Sequence, residues 1–162
     1  MSSAGAMRFS MVTILAAALA GCTNPHSPWY DPPPGLTSAT GATVSMTQNP
    51  AAQSGPDGDT RVVTIDGQPV SALDFDKIVL PPGQHTLGVE YNGASSAATV
   101  PIEATLRAGE SYVAKGQKDG PCDADVWLQD QNSDQVLGNK LQTHLTAKPA
   151  INGAPVFAVA CN

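Results

Sequence analysis

The sequence predicts an all-β fold, a small antiparallel two-sheet sandwich. Fifteen glycines and fourteen prolines stand against three phenylalanines and two tryptophans in 162 residues, a composition suited to short extended elements joined by many turns. Residues 85–91 alternate strictly, with Leu87, Val89 and Tyr91 on one face and Thr86, Gly88 and Glu90 on the other, the pattern of a strand with one buried face. Turn dipeptides punctuate similar runs further along. With 41% hydrophobic residues and 14% charged, the chain fills one globular core and not two.

The first segment is an address and not part of that core. Arg8 supplies a positive start, residues 9–20 are apolar, and Leu19-Ala20-Gly21-Cys22 closes the run with small residues before a cysteine. About a dozen residues span only ~18 Å as a helix, short of the ~30 Å of a bilayer core, so this is a signal-peptide core and not a membrane span. Met7 is an alternative start. Leu19, Ala20, Gly21 and Cys22 resemble the bacterial lipobox. That resemblance implies a signal peptide over residues 1–21, cleavage before Cys22, and acyl chains on its sulfur and amino group. At ~0.8 kcal/mol per buried methylene, several chains hold a small protein in a bilayer almost irreversibly. Thr23, where families of this kind place aspartate for inner-membrane retention, implies an outer-membrane destination facing the periplasm if the host has two membranes.

Residues 22–58 read as a tether rich in Pro, Ser, Thr, Gly and Ala, stiffened at Pro32-Pro33-Pro34, which cannot bury enough apolar area to offset ordering entropy. Within it, residues 43–48 (Thr-Val-Ser-Met-Thr-Gln) alternate weakly and fit an edge strand. Trp29-Tyr30-Asp31 fits either a recognition patch beside polyproline or an aromatic pair resting at the lipid headgroups.

The sandwich domain is expected over residues 59–162. Val62, Val63 and Ile65 make a first strand that ends at Asp66-Gly67, a tight turn whose two residues tolerate positive φ. Residues 76–80 give a second, and Pro81-Pro82-Gly83 fits a type II turn. The strand of residues 85–91 follows, then the turn Asn92-Gly93. Next comes a strand with Val100, Ile102, Ala104 and Leu106 inward and Thr99, Glu103 and Thr105 outward, whose Pro101 marks an edge or a bulge. Arg107-Ala108-Gly109-Glu110 fits a short hairpin into residues 111–115, with Tyr112 and Ala114 sharing a face. Val126-Trp127-Leu128 and residues 156–161 supply two more strands, with Trp127 the core aromatic, and residues 141–147 fit strand or helix. About seven short strands over roughly a hundred residues match a sandwich of immunoglobulin or transthyretin type.

Asp66-Gly67, followed by Ile78-Val79-Leu80-Pro81-Pro82-Gly83-Gln84-His85-Thr86-Leu87-Gly88-Val89, resembles the pattern of PEGA-type and related small β-sandwich modules of bacterial envelope proteins. Small proteobacterial lipoproteins are similar too: they pair such a Pro-Gly-x-His hairpin with a later Ala-Gly-x-x-Tyr, here Ala108 to Tyr112, and an aromatic-acidic strand like Trp127-Leu128-Gln129-Asp130. The resemblance spans roughly residues 60 to 130, implies a non-enzymatic accessory or binding module, and carries over no functional residues.

Charge narrows the partners. Loss of Arg8 with the signal leaves seven basic side chains against fourteen acidic, a surface that repels nucleic acid and anionic lipid, so contact with a membrane must run through the acyl chains on Cys22. The other expected partner is an envelope protein. Cys122 and Cys161 remain after acylation in an oxidising compartment. A disulfide between them would close about 40 residues and restrict the unfolded chain by ~4 kcal/mol.

Catalytic chemistry is thin. His26, His85 and His144 have no metal-site spacing, with His85 expected as a half-exposed structural residue, and no Gly-x-Ser-x-Gly elbow or spare cysteine nucleophile exists. Asp119, Asp123 and Asp125, with Asp130, surround Cys122 as weak calcium candidates, without the glycine and glutamate of an EF-hand. The expectation is a lipid-anchored, non-catalytic binding or structural module without a cofactor. The alternatives are a periplasmic hydrolase or metal-dependent enzyme, and a calcium- or carbohydrate-binding module.

Overall fold

The computed structural model describes residues 30–47, 58–70 and 76–148, and all regular structure among them is β. The strands are β1 Ala42–Ser45, β2 Asp59–Ile65, β3 Gln68–Pro69, β4 Lys77–Leu80, β5 Gly83–Asn92, β6 Ser96–Leu106, β7 Ser111–Asp119, β8 Asp123–Asp130, β9 Val136–His144 and β10 Thr146–Ala147. They form two five-stranded sheets, β4-β1-β7-β8-β9 and β10-β6-β5-β2-β3, packed face to face. Every pairing is antiparallel except β1 with β7.

Alternation decides which side chains meet between the sheets. From the first sheet come Ala42, Val44, Ile78, Leu80, Tyr112, Ala114, Ala124, Val126 and Leu128; from the second come Val62, Ile65, Leu87, Val89, Tyr91, Val100, Ile102, Ala104 and Leu106. The inward set expected for residues 85–91 and 100–106 is the one observed. In β2 the inward residues Val62 and Ile65 are three apart, because a bulge after Val62 adds one residue and resets the parity. The turn after β2 has Asp66 at φ 50° and Gly67 at φ 79°, as a tight hairpin requires.

Four local expectations are corrected by topology. Of residues 43–48, expected as an edge strand, Thr43–Ser45 belong to an interior strand: β1 lies between β4 and β7 with Ala42 and Val44 fully buried, so part of the expected tether completes the core. Pro81-Pro82-Gly83 does not make a hairpin; β4 and β5 belong to different sheets, and the two prolines stiffen a crossover. Arg107-Ala108-Gly109-Glu110 is likewise a crossover, from β6 to β7. Trp127 lies on the face of β8 opposite Val126 and Leu128, outside the core, whose buried aromatics among the described residues are Tyr91 and Tyr112.

The undecided residues 141–147 are strand. Leu145, fully buried, is the point at which the chain leaves β9 in one sheet and becomes β10 in the other. On the opposite side, Thr47 bridges Thr60 across the sheets, and both hydroxyls donate to the Ala114 carbonyl, at 2.8 and 2.6 Å. The sandwich is thus stitched at both flanks. Pro101 pairs with Gly88 on its β5 side, while β10 covers only Ser96 and Ala97 on the other, so proline occupies an uncovered length of β6 edge.

Candidate functional site

Leu19, Ala20, Gly21, Cys22, Trp29, Cys161 and the expected strand 156–161 lie outside the described residues. Cys122 sits half-buried in the turn between β7 and β8, where its carbonyl accepts the Leu145 N–H at 2.7 Å. The aspartates around it are engaged along the β7–β8–β9 ladder. Asp119 Oδ2 accepts from Gln142 at 3.0 Å, Asp123 Oδ1 lies 3.1 Å from His144 Nδ1, and Asp125 pairs in register with Gln117 and Gln142. Among the described residues no three His, Cys, Asp or Glu side chains converge on a point that would hold a metal ion.

His85 is buried, 8% exposed, and not half-exposed as its strand-end position suggests. Its Nδ1 is 2.8 Å from Asp66 Oδ2 and its Nε2 is 2.8 Å from the Pro81 carbonyl. Both ring nitrogens are therefore committed to oxygen partners, and neither is left to take a proton from a substrate or to ligate a metal. Asp66 also accepts the Thr86 N–H at 2.9 Å; that bond, and then His85, hold its carboxyl below the ordinary range against an opposing desolvation. The cluster fastens the β2–β3 turn to β5.

Trp127 is covered from outside. The Lys140 ammonium lies 4.0 Å from the ring centroid, and the indole N–H donates to Gln129 Oε1, whose amide donates on to Asp134 at 2.6 Å. The ring is only 7% exposed, so it is a capped surface aromatic and not an open stacking platform.

Two clefts remain. One, about 250 Å³, is apolar and lined by Tyr30, Pro32, Leu36, Val70, Ile78 and Val79, with Lys77 beside them. The Tyr30 hydroxyl is buried there without a hydrogen-bond partner, and burial, then the carboxylates of Asp66 and Asp31, raise its pKa. The other, about 240 Å³, is polar and opens at the end of the sandwich where β6 crosses to β7 and β8 turns into β9; Arg107, Tyr112, Asp130, Thr105 and Gln135 line it.

The polar cleft is the better candidate, because its groups converge and differ in chemistry. Tyr112 is 2% exposed, and its phenolic oxygen accepts the Arg107 backbone N–H at 3.0 Å, an arrangement like the tyrosine corner of Greek-key sandwiches. Asp130 Oδ1 accepts the backbone N–H groups of Asn132 and Ser133, at 2.8 and 2.9 Å. The Ser133 bond first, then that to Asn132, keep the Asp130 carboxyl below its ordinary range, with Arg107 a further cause. Sequence reasoning singled out Ala108 to Tyr112 and Trp127 to Asp130 as patterns without seeing that their last residues, Tyr112 and Asp130, line one cleft. Comparison of the chain with known protein families, curated proteins and solved structures finds no match.

Proposed function

We propose that this chain is a lipoprotein of the bacterial cell envelope, acylated on Cys22, whose sandwich binds or braces other envelope components without catalysing a reaction. Leu19-Ala20-Gly21-Cys22 carries the reading. The anchor would lie close to the body. Seven residues, 23–29, separate Cys22 from Tyr30, where the described fold begins, and the eight steps between them at ~3.5 Å each reach at most ~28 Å. Because β1 is part of the core, the sandwich is held nearer the bilayer than a tether reaching to residue 58 would place it. Thr23 after the cysteine favours the outer membrane.

The non-catalytic part of the reading is supported by His85, whose two ring nitrogens are both engaged by oxygen partners. A Cys122–Cys161 disulfide belongs to the same proposal, since the anchored body would face an oxidising compartment.

Labelling cells with a radioactive fatty acid tests the anchor. The wild-type chain takes up label and Cys22→Ser does not; equal label in both overturns the proposal. Intact mass with and without reductant tests the bridge, and two free thiols in the envelope-located protein would refute it.

A further inference from the structure

We propose that the cleft between Arg107 and Asp130 binds a small zwitterion, a molecule of amino-acid size carrying an ammonium and an oxyanion a few bonds apart. The inference deepens the binding reading above and rests on it.

Three observations meet at this place. Arg107 is exposed at the crossover, its side chain in no ion pair among the described residues, although Asp130 lines the same cleft. A cation and an anion that share a cavity without touching leave a gap with a polarity across it. Both backbone bonds to Asp130 end on Oδ1, and the Ser133 hydroxyl also hydrogen-bonds the carboxylate, so Oδ2 is the oxygen without a backbone donor and keeps a lone pair for one from outside. Tyr112 adds the third element. Its oxygen is used as an acceptor by the Arg107 N–H, which leaves its own proton to be donated, and the buried side chain lines the cleft.

A ligand oxyanion would take the Arg107 guanidinium and the Tyr112 hydroxyl, both donors; a ligand ammonium would take Asp130 Oδ2, an acceptor. At about 240 Å³ the space suits a molecule smaller than the drug-sized ligands of larger pockets. The same chemistry occurs in free amino acids and in the phosphoethanolamine headgroup of a membrane lipid.

Calorimetric titration of the full acylated protein in detergent tests this with glycine, a panel of larger amino acids, phosphoethanolamine, acetate and ethylamine. A zwitterion should bind saturably, and acetate and ethylamine, each lacking one charge, about tenfold or more weaker. Amino acids binding better than phosphoethanolamine point to a soluble ligand, and the reverse order to a lipid headgroup.

Arg107→Gln and Asp130→Asn should each weaken the best ligand by about tenfold or more, and Arg107→Gln should do so with the urea midpoint unchanged. The first keeps the backbone N–H that Tyr112 accepts, and the second keeps an oxygen for Asn132 and Ser133. No saturable binding of any zwitterion, acetate binding as tight as glycine, or an Arg107→Gln protein that binds normally would each overturn the proposal. Fatty-acid labelling of Cys22 is indifferent to all of these results, so failure here is distinguishable from failure of the anchor.

Discussion

The phenolic oxygen of Tyr112 accepts the backbone N–H of Arg107 at 3.0 Å, across the point where the chain passes from β6 in one sheet to β7 in the other. The bond helps to fix a crossover that is also held by Glu110 N–H to the Arg107 carbonyl, at 3.3 Å, and by backbone bonds of Gly109 and Glu110 to Gly41 and Thr43, at 2.8 and 2.9 Å. Tyr112→Phe keeps the ring in the core but leaves that N–H without its partner. The expected loss is about 1–3 kcal/mol in urea denaturation. A loss below about 0.5 kcal/mol, the ordinary scatter of surface substitutions, would show that the hydroxyl does not hold the corner.

Tyr91, the largest fully buried side chain among the described residues, has room between the sheets because residues 58 and 116 carry no side chain. A Cβ on Gly116 would stand 2.5 Å from the Tyr91 ring and 2.8 Å from the Thr60 methyl. Gly116→Ala is therefore expected to cost about 1–3 kcal/mol by overpacking. In a double-mutant cycle with Tyr91→Leu the cost should shrink, because the ring that collides is gone. Additive effects would place the strain elsewhere.

Asp66 gives the fold a pH dependence of known sign. Its folded carboxyl lies below its ordinary value, chiefly through the Thr86 N–H, so the stabilisation it contributes is full above the unfolded carboxylate value of ~3.9. That contribution is lost as pH falls through the lower, folded value. The side chain is 50% exposed, so solvent screening keeps the effect under about 1 kcal/mol. Urea midpoints of wild type and Asp66→Asn should converge between pH 5 and the acid limit, and a constant gap would exclude Asp66 from the acid sensitivity.

Lys140 caps Trp127 from solvent. In a Trp29→Phe background, which leaves Trp127 as the single indole, Lys140→Ala should shift its fluorescence to the red and increase its quenching by iodide. Stability should fall by about 0.5–1 kcal/mol, the scale of a cation–π contact near the surface. Unchanged emission would mean that Gln129 and the neighbouring strands cover the ring without the lysine.

Much of the fold was legible before any coordinates. Residues 85–91 and 100–106 show which side chains face inward because a strand's period is two, and burial of one face imprints that period directly on the sequence. Asp66-Gly67 was legible for a similar reason, since positive φ selects residue types locally. His85 was not. Its burial comes from Asp66 and Pro81, each delivered by a different part of the backbone, and no spacing along the chain encodes that meeting.

The sequence alone determined the all-β class, the inward residues of the long strands and the position of the tight turns, because each follows from neighbours a few bonds away. Tertiary structure decided which turns are hairpins and which are crossovers, that Ala42–Ser45 is interior, that Trp127 faces outward, and that Arg107, Tyr112 and Asp130 share one cleft. A Pro-Gly or Ala-Gly turn reverses the chain equally well within a sheet or between two. The choice is made by how twenty or so side chains from distant strands close a single core, and that energy is not written at any one position.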